Sequence, residues 1–123
     1  MNATATATGQ ILIVEDDKAI YHAMQLLLRH YEYDVRLATT LAEARQQLNP
    51  APDFVLLDVC LPDGTSDSLF REIVQKKLAT KVIVITACDD PVLLRNIAQL
   101  KPEMMLRKPI NFFDLLHRLK PVL

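Results

Sequence analysis

Glycine is nearly absent from this chain: 123 residues contain two, Gly9 and Gly64, and there is no tryptophan. Loops with so little glycine are stiff. Cysteine is scarce too, and Cys60 and Cys88 fit neither a disulfide framework, a Cys-x-x-Cys redox pair nor a zinc site, so two reduced thiols are expected. Neither sign of charge dominates, with 14 Lys+Arg against 15 Asp+Glu. With no basic run and no aromatic-basic interleaving, direct nucleic-acid binding is not expected. Apolar runs end after a few residues, far short of the about 20 that cross a bilayer, so no membrane association is expected either. The opening MNATATATGQ has neither the basic region nor the apolar core of an export signal. Residues 1–9 therefore read as a disordered leader, residues 10–120 as one domain and residues 121–123 as a short tail, with a cytoplasmic location.

What the chain does have is an alternation. Short β-branched apolar runs occur at Ile11–Val14, Val35–Ala38, Phe54–Leu57 and Val82–Ile85, with a weaker one at Met104–Leu106. Between them lie helical patterns. The first carries Ile20, Ala23, Met24, Leu27, Leu28 and Tyr31 at i, i+3, i+4 spacing. The second starts at Thr39 or Thr40 and stops at Asn49-Pro50; the third spans about Ser68 to Lys77 with Leu69, Ile73 and Val74 inward. Asp90-Pro91 opens the fourth, a cap residue followed by proline in the first turn. Asn111 opens the fifth, with Phe112, Leu115, Leu116 and Leu119 inward. Five strand–helix units in succession predict an α/β fold, a doubly wound parallel sheet with helices on both faces. Strands covered on both faces read as unbroken aliphatic runs, as VIVI does. The carboxyl ends of such strands gather along one edge, where ligands bind.

That edge collects a constellation. The first run delivers Glu15, Asp16 and Asp17, the third Asp58, the fourth Thr86 and Ala87, and the fifth Lys108 followed by Pro109. In this order, each ending a strand, these residues resemble a response-regulator receiver domain, the phospho-accepting half of two-component signalling, over roughly Gln10 to Leu119. The resemblance implies a flavodoxin-like five-stranded sheet of order 2-1-3-4-5, the order known for this family. It also implies that Asp58 accepts a phosphoryl group from a sensor histidine kinase or a phosphotransfer protein. Glu15, Asp16, Asp58 and the Cys60 backbone carbonyl would hold Mg²⁺, which favours oxygen ligands and allows close carboxylates to stay ionised. Lys108 and Thr86 would meet phosphoryl oxygens, and the Lys108–Pro109 bond would be cis. The domain would be no enzyme beyond Mg²⁺-dependent self-phosphorylation and self-dephosphorylation. Phosphorylation would act as a two-state switch of helix 4, strand 5 and helix 5.

The chain departs from that pattern in places. The switch position, an aromatic three residues before the lysine, is Met105, which is apolar and flexible but has no ring. Ser66 stands where a glycine is usual, with Gly64 two residues earlier to take a left-handed conformation, and Lys101-Pro102 replaces a usual Gly-Ala. Cys60 and Cys88, each two residues beyond a site residue, would border the pocket. On helix 4, Leu94, Ile97 and Ala98 can face the sheet, which leaves Val92, Leu93 and Leu100 for another face, and Phe113 lies off the main stripe of helix 5; this surplus suggests a homodimer or target face. The competing reading is a pseudo-receiver, an interaction module that signals without phosphorylation; it would have lost Asp58, the acid pair or Lys108, and all are present.

Overall fold

The computed structural model describes residues 9–119. The expected leader up to residue 8 and the tail at 121–123 lie outside the described residues, whereas Gly9, expected in the leader, opens the first strand because it pairs with Tyr33.

The chain runs β1 (Gly9–Val14), α1 (Lys18–His30), β2 (Tyr33–Ala38), α2 (Leu41–Gln47), β3 (Phe54–Asp58), β4 (Cys60–Leu61), β5 (Gly64–Thr65), α3 (Asp67–Gln75), β6 (Lys81–Thr86), α4 (Pro91–Gln99), β7 (Met104–Arg107) and α5 (Phe112–Leu119). Five strands form one parallel sheet in the order β2-β1-β3-β6-β7. This is the expected 2-1-3-4-5 order of the flavodoxin-like α/β fold, since the short antiparallel hairpin β4–β5 intervenes in the chain before β6 and β7. In the hairpin Cys60 pairs with Thr65 and Leu61 with Gly64, and Gly64 has φ 142°, a left-handed backbone that suits glycine.

Side chains alternate across a strand, so each aliphatic run feeds two cores. Leu12, Val14, Val55, Leu57, Val82 and Val84 meet Leu41 and Ala44 of α2, Leu69, Phe70 and Ile73 of α3, and Ile97 of α4. Ile11, Ile13, Leu56, Ile83 and Ile85 meet Met24 and Leu28 of α1 and Leu115 and Leu119 of α5. Burying one such side chain stabilises the fold by about 1.5–3 kcal/mol. The Tyr33 hydroxyl donates to the Leu119 carbonyl, tying β2 to the end of α5.

Several helix faces depart from the periodic reading. In α3 the inward residue is Phe70, while Val74 is exposed, because Val74 lies a further step of about 100° around the helix beyond Ile73. Ala23 and Tyr31 are exposed at the margins of the α1 stripe, in which Met24 and Leu28 are buried and Ile20 packs against the core partly exposed. On α4, Leu93 and Leu100 pack against the core and Ala98 is exposed. Thr40, not Thr39, caps α2 by accepting from the Glu43 amide, and Asp63 in the hairpin turn accepts from the Leu41 and Ala42 amides. Where glycine would commonly end a helix, the chain places Glu32 (φ 68°), Lys77 (φ 53°) and Lys101 (φ 60°) in left-handed backbone after α1, α3 and α4.

Candidate functional site

The ends of β1, β3, β6 and β7 contribute the polar groups. Beyond β1, the Glu15 amide donates to the Ala38 carbonyl, which extends the strand-like path and turns the Glu15 side chain inward. Glu15 is 2% exposed, and its Oε2 accepts from the Asp17 amide at 3.1 Å. Asp16 is exposed. Asp17 caps α1, accepting from the Ala19 and Ile20 amides; it serves the helix terminus rather than the cluster. Asp58 closes β3 and is 7% exposed. Thr86 closes β6, fully buried, and its hydroxyl oxygen accepts from the Cys88 amide at 2.8 Å. Lys108 follows β7, held by its amide donating to the Thr86 carbonyl at 2.9 Å. The Lys108–Pro109 bond is cis, as is Asn49–Pro50.

These groups converge. Lys108 Nζ lies 2.8 Å from Glu15 Oε1 and 3.2 Å from Asp58 Oδ2. Glu15, Asp16 and Asp58 each offer a carboxylate oxygen within 4.8 Å of the others. Two of the three are buried, and one ammonium leaves most of their like charge uncompensated. Burial is the main force raising the Glu15 carboxyl above its ordinary value; Lys108 opposes this and Asp58 adds to it. Burial alone would lower Lys108, but the Glu15 and Asp58 carboxylates outweigh it and raise the ammonium. Such a site favours a further positive charge.

A divalent cation fits these residues. Glu15 Oε1 is buried and accepts no well-formed hydrogen bond, although the ammonium stands close to it. The donor set is all carboxylate oxygen, the preference of a hard cation such as Mg²⁺. Cys60 lies beside the cluster on β4 with its residue surface exposed. Partial burial of its thiol, then the neighbouring Cys88 thiol, push Cys60 up. Met105 sits mid-strand in β7, opposite Val84 and 38% exposed; it belongs to the neighbouring surface and not to the cluster.

Sequence reasoning noted Ser66 only as a replaced glycine and missed Arg107. Ser66, fully buried, is held through its hydroxyl to the Val59 carbonyl, fixing the hairpin beneath Asp58; a glycine there could not make that bond. Arg107 donates to the Cys88 carbonyl at 2.8 Å and pairs with Asp89 at 2.5 Å. Its only sequence signal is a charge at the end of an apolar strand, next to the more conspicuous Lys108.

Comparison with known proteins gives the family and the fold. The family model described as the response regulator receiver domain matches residues 11–120. The transcriptional regulatory protein CrdR of Helicobacter pylori is 34% identical over 113 residues, which cover 90% of this chain and 53% of that protein. DltR of Streptococcus agalactiae, also a transcriptional regulatory protein, is 31% identical over 112 residues, covering 90% of this chain and 50% of its own. The chain thus spans about half the length of these relatives. A CheY-like receiver domain from Methanospirillum hungatei superposes with TM-score 0.84 at 27% identity, over 90% of each chain. The signal receiver domain of a putative Luxo repressor from Vibrio parahaemolyticus gives 0.80 at 28% identity, over 91% of this chain and 90% of that one.

Proposed function

The chain belongs to the response-regulator receiver domain family, and from that premise we propose that Asp58 accepts a phosphoryl group from a phosphohistidine on a partner sensor kinase or phosphotransfer protein. The observation that carries this reading is the joint approach of Lys108 to Glu15 and Asp58, with Asp16 completing a three-carboxylate cluster. In the transfer an Asp58 carboxylate oxygen attacks phosphorus in line. The P–O bond forms as the P–N bond to imidazole breaks, and the imidazole leaves and takes up a proton. Lys108, held between two carboxylates, is placed to meet a phosphoryl oxygen as a point charge. Thr86 retains its hydroxyl proton, since its oxygen accepts from Cys88, and can donate it to another phosphoryl oxygen. Glu15, Asp16 and Asp58, with the Cys60 carbonyl, would hold Mg²⁺, which when bound supplies charge neutralisation for the carboxylates and the phosphoryl oxygens.

Exchanging the carboxylate for an acyl phosphate adds charge at the mouth of β3, and drawing Thr86 toward it displaces the loop into α4. The surface that would report the change is α4, β7 and α5. It displays Val92, Met105 and Phe113, the last 84% exposed, and would serve a target or a second copy of the chain. Among the described residues no helix is long and apolar enough to cross a membrane. Incubation with a small phosphodonor and Mg²⁺, followed by intact mass, tests the proposal. One phosphoryl increment is expected on the parent protein and none on Asp58→Asn. An unmodified parent would instead support signalling without phosphorylation.

A further inference from the structure

The loop between β6 and α4 is held from both sides at one residue. The Cys88 amide donates to the Thr86 hydroxyl oxygen at 2.8 Å, and the Cys88 carbonyl accepts from Arg107 at 2.8 Å. The other arm of the Arg107 guanidinium pairs with Asp89 at 2.5 Å. Arg107 is itself fixed in register opposite Thr86, as the last paired residue of β7. A planar guanidinium holds two acceptors in one rigid fork, whereas an ammonium is a point charge on a flexible stem. We propose that Arg107 is the positioning residue of the switch: it latches the β6–α4 loop, keeps the Thr86 hydroxyl engaged with Cys88, and sets how readily Thr86 leaves for a phosphoryl group.

This inference rests on the phospho-acceptor reading for its consequence but on separate contacts for its existence. A swing of Thr86 toward Asp58 would pull on its bond from the Cys88 amide, and Arg107 holds that same residue through its carbonyl. Met105 carries no aromatic ring to couple the site to the surface. Arg107, two residues further along β7, joins the switch threonine's loop to the strand beside the exposed face. The weight falls on the carbonyl contact, because Asp89 is 84% exposed on its side chain and its ion pair is screened.

The latch predicts two independent effects. In unmodified protein, amide hydrogen exchange at Cys88 speeds up in Arg107→Ala, speeds up less in Arg107→Lys, and least in Asp89→Asn. In Mg²⁺ buffer, Arg107→Ala binds beryllofluoride, a phosphoryl mimic, more tightly by a factor of about three to ten, because a larger fraction of the free protein is competent to bind. Cys88 exchange that is unchanged in Arg107→Ala overturns the latch whatever the binding shows. Equal beryllofluoride affinity in parent and Arg107→Ala overturns its role in switching. A parent that binds no beryllofluoride overturns the phospho-acceptor reading instead, and Cys88 exchange still decides whether the latch exists.

Discussion

The two edges of the sheet store unfavourable free energy in different forms. At the carboxyl edge the cost is electrostatic: Glu15, Asp16 and Asp58 crowd together with Lys108 as their close cation. At the amino edge the cost is conformational: Glu32, Lys77 and Lys101 hold left-handed backbone in the turns that lead into β2, β6 and β7. A non-glycine residue in that region costs roughly 1–2 kcal/mol. The electrostatic cost can be relieved by something that binds, so it is usable. The conformational cost is fixed by the sequence and does nothing at the site. A ligand-dependent function is therefore expected at the edge whose cost binding can remove.

Removing each cost separately tests the contrast. The larger effect is expected from Mg²⁺, which should stabilise the parent by about 1.4 kcal/mol at ten times its dissociation constant; Asp16→Ala should lose most of this in denaturant titrations. At the amino edge, Lys77→Gly should stabilise by about 0.5–1 kcal/mol, since relief of the left-handed strain exceeds the added chain entropy. That gain should be the same with and without Mg²⁺. A Mg²⁺-dependent gain would mean that the edges are coupled.

The pH response offers a finer distinction. Glu15 is raised above its ordinary 4.5 by burial first, with Asp58 adding to the shift. An acid raised in this way binds more protons folded than unfolded, so its contribution favours the fold at low pH and is lost as pH rises through the folded value. Metal-free protein should therefore show a Glu15-dependent fall in stability above pH 4.5 that Glu15→Gln abolishes. Lys108 works in the opposite range: its raised value keeps its contribution intact until the pH passes beyond the ordinary lysine range.

Much of this was legible in the sequence because the strands are buried on both faces and their ends are chemically distinct. Ile11–Val14, Phe54–Leu57 and Val82–Ile85 could hardly be anything but central strands, and the acids, the threonine and the lysine stand at strand ends or just beyond them. Helix faces were less legible. Phe70 and Val74 are both apolar neighbours of the Leu69–Ile73 pair, and the apolar pattern alone does not say on which side of that pair the buried face extends. The hairpin at Cys60–Thr65 escaped because two-residue strands carry no periodicity, although Pro62-Asp63-Gly64 is a turn signal. The Arg107 contacts could not be read at all, since they join residues 18 and 19 positions apart through a side chain.

The most direct measurement is where a phosphoryl group, once added, resides. Borohydride reduction of the modified protein, followed by peptide mass analysis, turns an aspartyl phosphate into homoserine and so marks the acceptor by position. The account predicts homoserine at residue 58 and only when Mg²⁺ was present during modification. Homoserine at Asp16 or elsewhere, or labelling that ignores Mg²⁺, would contradict it.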